Sequence, residues 1–106
     1  MYRGYLMFER VMGLNVIDEQ GYKKYREGMV PILHSYGADF GYDFIVSEVL
    51  KSKTTKRINR VFTIDFPSKK VMESFFNDSK YLEVKKKYLD HSIDEKTIIS
   101  MHEKNT

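Results

Sequence analysis

The stretch RVFTIDFPSKKVMESFF, residues 60–76, carries the decisive pattern. It opens on strict alternation. Phe62, Ile64 and Phe66 fall on one side of an extended chain, and Val61, Thr63 and Asp65 on the other. Phe, Val, Ile and Thr suit such a pleated surface. Pro67 has no N–H for a ladder, and Ser68 offers an oxygen to the free N–H groups of a first helical turn. The period then changes: Val71, Met72, Phe75 and Phe76 gather on one face of a helix over 69–76. A strand thus gives way, through a capped turn, to a short aromatic helix.

Downstream, residues 77–79 break that helix. A second helical piece spans 80–89, with Tyr81, Leu82, Lys85 and Tyr88 along one side. Residues 90–94 read as a loop, 96–102 as the last strand, and 103–106 as a fraying tail. Upstream, the strand of residue 62 reaches back to Ile58. The polar run KSKTTKR, 51–57, reads as a hairpin loop, and the aromatic-rich segment 39–50 as its partner strand. Before it lies a helix over 19–36, whose Tyr22, Tyr25, Met29, Leu33 and Tyr36 recur at steps of three and four. Asp18 is placed to cap it, Pro31 predicts a kink, and Gly37 can take the positive φ of a helical stop. The first strand spans 9–16, with Val11, Gly13 and Asn15 on one face and Met12, Leu14 and Val16 on the other. Residues 1–8 read as a peripheral segment, with Met7 as an alternative start.

The order is β-α-β-β-α-β, with the second helix split. Such a chain folds as a split βαβ of the α+β class: a ferredoxin-like, antiparallel four-stranded sheet with both helices on one face. Three strands carry apolar residues on both faces, which a sheet with one wet face would not. Two copies packed sheet to sheet would bury the second face, so a homodimer is expected.

The bulk numbers fit this picture. A chain of 106 residues has room for one core. Its 42% hydrophobic and 14% aromatic fractions describe a folded chain. The absence of cysteine excludes disulfides, thiolate catalysis and zinc–thiolate sites. The net charge of +3 comes from 18 basic and 15 acidic residues, mostly interleaved, so no nucleic-acid partner is expected. The N-terminal apolar runs are broken by Arg3, Glu9 and Arg10, unlike a signal peptide, and no run approaches the ~20 residues of a membrane span. A cytoplasmic protein without membrane partners is the expectation.

Three stretches resemble the domain-of-unknown-function family 1330: DEQGYKKYREGMVPILHSYGAD, RVFTIDFPSKKVMESFFNDSKY and SEVLK. The resemblance covers roughly residues 10–100. It implies a dimeric α/β barrel, two ferredoxin-like sheets closed around a shared interior, and no particular activity. Related barrels include cofactor-free monooxygenases, isomerases, haem enzymes and ligand binders. The chain departs from the family pattern at Ala38, where a second glycine is common, and at Asp43, where an arginine is common.

Candidate residues follow from strand parity. Asp65 and Thr63 would face the barrel interior, joined by Asp43, Ile45 and Ser47 from strand two and by Glu9, Val11, Gly13 and Asn15 from strand one. A bulge would turn a strand's side chains to the other face. Asp65, Asp43 and His34 are the candidate acids and bases. Ion pairing of the carboxylates with Arg10, Arg57 or Arg60 is the bland alternative, and a structural role near Val30 and Leu33 is that for His34. Tyr42, Gly13, Thr63 and Arg60 are the candidate ligand contacts, with Gly13 leaving space. Lys51, Lys53, Lys56, Arg57 and Arg60 cluster about one hairpin, which reads as a solvated loop. No two histidines stand at a ligand spacing, so neither a metal nor another cofactor is expected. The function read from these features is the binding of a small, partly apolar molecule between sheet and helices. The rivals are a cofactor-free oxygenase or isomerase, and a structural or regulatory dimer without ligand.

Overall fold

The computed structural model describes residues 6–105; the expectations for residues 1–5 and for Thr106 lie outside it. The element order is β1 (Leu6–Val16), α1 (Glu19–Ser35), β2 (Asp39–Ile45), β3 (Arg60–Phe66), α2 (Lys69–Phe76), α3 (Ser79–Val84), a π-helical turn (Lys85–Leu89) and β4 (Ile93–Asn105). The sheet is antiparallel throughout, in the order β2-β3-β1-β4.

The alternation in β1 and β3 sets the core. Phe8, Met12, Leu14 and Val16 pack with Phe62, Ile64 and Phe66 under the helices, all buried. From α1 come Tyr22, Tyr25, Met29 and Leu33, the stripe the spacing predicts. Phe75 of α2 is fully buried against the rings of Tyr36, Phe66, Phe76 and Tyr81. The caps also fall as expected. Asp18 accepts from the Gly21 N–H, Ser68 from that of Val71, and Gly37 takes φ +73°. The helix break after Phe76 is a new cap: Asp78 accepts from the N–H groups of Lys80 and Tyr81. Tyr36 donates its hydroxyl to the same carboxylate at 2.6 Å, tying the end of α1 to the start of α3.

Strand ends differ from expectation. Residues 6–8 are not peripheral and 103–105 do not fray. They pair with each other, Leu6 with Asn105 and Phe8 with Glu103. In contrast, β2 ends at Ile45 instead of Leu50. Val46 makes one more bond, N–H to the Asn59 carbonyl, and the chain then leaves the ladder. The polar run is not a free hairpin tip. Arg57 pairs with Asp94 and Glu95 of β4, and Lys56 donates to the Lys96 carbonyl. The β2–β3 connection is therefore strapped to the far edge strand. Its apolar residues Val46, Val49, Leu50 and Ile58 gather with Val61, Ile98 and Ile99 around one cleft.

Candidate functional site

The structure separates the expected site residues onto two faces of the sheet. A bulge in β2 is the cause. Gly41 and Tyr42 together oppose the single residue Thr63, so the pairing resumes with Asp43 opposite Phe62. Asp43 and Ile45 therefore lie on the helix side and not in a barrel interior. Asp43 pairs with Arg26 of α1 at 3.0 Å. Ser47 has already left the strand. Arg60, opposite Leu14, is also on the helix side, ion-paired with Glu19 and over the Tyr22 ring.

On the helix-free face, Thr63 is buried, and its hydroxyl accepts the Tyr42 N–H at 2.8 Å. It satisfies a backbone donor that the bulge would orphan. Tyr42 itself is exposed and stacks on Phe44 at the sheet edge. Gly13 does not leave open space: a Cβ there would meet Ile58 Cδ1 at 3.0 Å. Asp65 does face this side, but it pairs with Lys104 at 3.0 Å. That partner was not among the arginines considered. Lys104 also holds Glu9 at 2.9 Å, and His102 holds the other Glu9 oxygen at 2.9 Å. Four side chains from three strands thus form one continuous polar chain, His102–Glu9–Lys104–Asp65. His34 is neither cavity-lining nor buried. It sits exposed at the end of α1, its ring nitrogen 3.1 Å from the Asp39 carboxylate.

The network gives a pH signature. The Lys104 ammonium, helped by His102, holds the Glu9 carboxyl below its ordinary value against the opposing effect of burial. A lowered native value stabilises the fold above the ordinary glutamate range and ceases to as pH falls through the lowered value. Urea titrations between about pH 6 and 3 are therefore expected to show a shallower acid loss in Glu9→Gln than in the parent. Equal slopes would show that the network adds nothing to acid stability.

The groups that come together elsewhere were missed by sequence reasoning. Between the sheet and the helices lies a chamber of about 220 Å³. Met12, Leu14, Met29, Phe62 and Leu89 provide apolar wall, and Tyr25 and Tyr81 share a hydroxyl hydrogen bond of 2.9 Å within it. Burial raises both phenols above their ordinary value, so both stay neutral at physiological pH. Arg10, Lys85 and Lys96 line the same chamber. Arg10 was legible in principle. It occupies the buried-face parity of β1, between Phe8 and Met12, where a charge is out of place. Lys96 was not legible, because its face depends on irregularities in the β1–β4 register.

Among the described residues, no group of three or more His, Asp or Glu side chains could hold a metal ion. Nor is any described helix long and apolar enough to cross a membrane.

These features define a ferredoxin-like α+β domain with a small chamber under its helices. The solved structures it resembles share that fold at low identity. One is a protein of unknown function from Rhodopseudomonas palustris, with 12% identity, TM-score 0.71, and coverage of 96% of this chain and 82% of that one. A hypothetical protein from Arabidopsis thaliana gives 11%, 0.61, and 100% and 93%. A nipsnap family protein of unknown function from Agrobacterium tumefaciens gives 16%, 0.59, and 94% and 87%. No curated protein matches. The chain belongs to the domain of unknown function family DUF1330, whose profile matches residues 4–101.

Proposed function

We propose that this protein is a homodimeric α/β barrel that binds a small, partly apolar molecule in the chamber between sheet and helices. The observation that carries the binding reading is the chamber itself. It is walled by side chains of β1, β3 and α1 and holds a buried hydroxyl pair, the usual make-up of a small-molecule site. At about 220 Å³ it is smaller than the ~300–1,000 Å³ of drug-sized pockets, and suits a single ring or a short chain. An acid/base enzyme is less well supported. Asp65, Asp43 and Glu9 are each ion-paired, and neither they nor His34 line the chamber. The binding test is native mass spectrometry of the purified protein, followed by denaturing extraction. A co-purified molecule of one-ring size supports the reading. An empty protein whose chamber amides are unmoved by any small aromatic or short-chain probe overturns it.

The dimer rests on the helix-free face. Phe44, Val49, Leu50, Ile98 and Ile99 remain exposed there or beside it, Leu50 at 89%. A two-fold axis would set this patch against its own copy, as the two-faced strand pattern suggests. Light scattering at micromolar concentration is expected to give twice the chain mass. Val61→Asp, which places a charge in the half-buried centre of the face, is expected to give a folded monomer. A parent protein that is monomeric and stable at that concentration overturns the dimer.

A further inference from the structure

We propose that Arg10, Lys96 and Lys85 form an anion-binding head for the chamber, so that its ligand is a small carboxylic acid with one ring or a short apolar chain. The inference rests on the chamber being a binding site and names the class of molecule it takes.

Arg10 is the central observation. Its guanidinium sits over the Phe76 ring, 4.3 Å from the centroid. Its N–H groups point at the sulfurs of Met12, Met72 and Met101, at 3.2, 4.0 and 3.8 Å. Thioether sulfur is a weak acceptor and carries no charge. Among the described residues, no carboxylate lies within ion-pair distance of Arg10, although every other arginine of the described chain has one. A half-buried guanidinium facing sulfur and aromatic carbon is a costly arrangement unless an anion visits it.

The neighbours reinforce the charge. Lys96 also lacks a carboxylate partner among the described residues. Its ammonium is disfavoured by burial first and then by the nearby Lys85 and Arg10, with Asp90 opposing. Asp90 is committed to Lys85 at 3.0 Å. Lys56, on the Lys96 carbonyl, adds a further positive charge at this end. One anion placed among these groups would relieve their mutual repulsion.

The chemistry selects a carboxylate over a phosphate. Phosphate sites are commonly built on a helix N-terminus or a nest of backbone N–H groups. Here Lys85 stands inside the helical segment, at the junction of α3 and the π-helical turn, and not at a helix N-terminus. A planar carboxylate also fits the planar fork of an arginine with two parallel hydrogen bonds. The apolar wall would hold the ring or chain, and the Tyr25–Tyr81 hydroxyl pair could accept or donate one further bond at the chamber side.

The test uses two matched pairs of probes, phenylacetate with phenylacetamide and hexanoate with hexanamide, plus inorganic phosphate. Each is titrated into the full chain while backbone amide shifts are followed by NMR. At least one acid is expected to move the amides of Met12, Tyr25 and Tyr81, and to bind roughly tenfold or more tightly than its amide, the usual effect of a charge-assisted bond. Arg10→Gln is expected to erase that preference while leaving the amide's affinity unchanged. Lys96→Met, a second and independent substitution on β4, is expected to reduce it in part and guards against misfolding of the Arg10 variant. Equal affinity for acid and amide, or a preference that survives both substitutions, overturns the anion head while the chamber reading stands. Phosphate binding more tightly than either acid overturns the carboxylate assignment. Chamber amides unmoved by all five probes overturn the head and the chamber reading together.

Discussion

Phe75→Ala is expected to cost about 3–5 kcal/mol and to leave little folded protein at elevated temperature. Phe75 is 0% exposed and meets four rings, those of Tyr36, Phe66, Phe76 and Tyr81, with centroids as close as 4.5 Å. Its removal deletes the apolar surface and leaves a hole that stiff aromatic neighbours cannot close. Tyr36 and Tyr81 are further held in place through Asp78, by a hydroxyl bond and by a helix cap respectively. Those anchors restrict collapse into the hole. In a chain of this size each kcal/mol corresponds to about 4 °C or more in Tm. The measurement is denaturant unfolding at a fixed protein concentration, because any dimer makes stability concentration-dependent. A loss below about 1 kcal/mol, far under the usual range, would show that the cluster repacks freely.

Asn59→Leu is expected to be nearly as damaging, for a polar reason. Asn59 uses its side-chain amide as a stand-in peptide group. Its oxygen accepts the Val16 N–H at 2.7 Å, and its nitrogen donates to the Val16 carbonyl at 2.8 Å. Its own backbone bonds Leu14 on one side and Val46 on the other. One residue thus closes the end of β1 and ties together the two ends of the β2–β3 connection. Leucine has similar bulk and no polar atoms, so it would shut water out while orphaning both Val16 groups. Two such groups cost about 2–6 kcal/mol. Asn59→Ala is expected to cost less, because the smaller side chain admits water to the same groups. An alanine variant less stable than the leucine variant would contradict this account. The readout is the same unfolding experiment.

The fold was legible because its information is local and repeated. Phe62, Ile64 and Phe66 state the period of two. Tyr22, Tyr25, Met29 and Leu33 state the period of 3.6, and Asp18, Ser68 and Gly37 mark the boundaries. The helix over 69–76 matches the element residue for residue. The site was less legible because it depends on register. Asp43 was assigned to the wrong face by one extra residue at Gly41–Tyr42, a bulge that alternation alone does not reveal. Asp65 was assigned to the correct face, but its partner Lys104 lies in a segment that read as a frayed tail. Gly13 was read as leaving space, but Ile58, read as the start of the third strand, lies before it in the β2–β3 connection and fills that space. Arg10 shows the converse. The sign is present in the sequence, a charge amid Phe8, Met12 and Leu14 on the buried-face parity of β1.

The position of β1 in the sheet has a consequence for how the chain is made. β1, the first of the described strands in chain order, is an inner strand, flanked by β3 and β4. Its partners along one side begin at Arg60, and those along the other run to Asn105. Until those segments leave the ribosome, an apolar strand stands with both edges unpaired, a template for other extended chains. α1, which follows β1 directly, is the element at hand to shield its apolar side, through Tyr22, Tyr25, Met29 and Leu33. The last thirteen residues of the described chain then close the sheet. The central template therefore stays open until β3 and β4 have been made, and slow, late, long-range pairing is built into the topology.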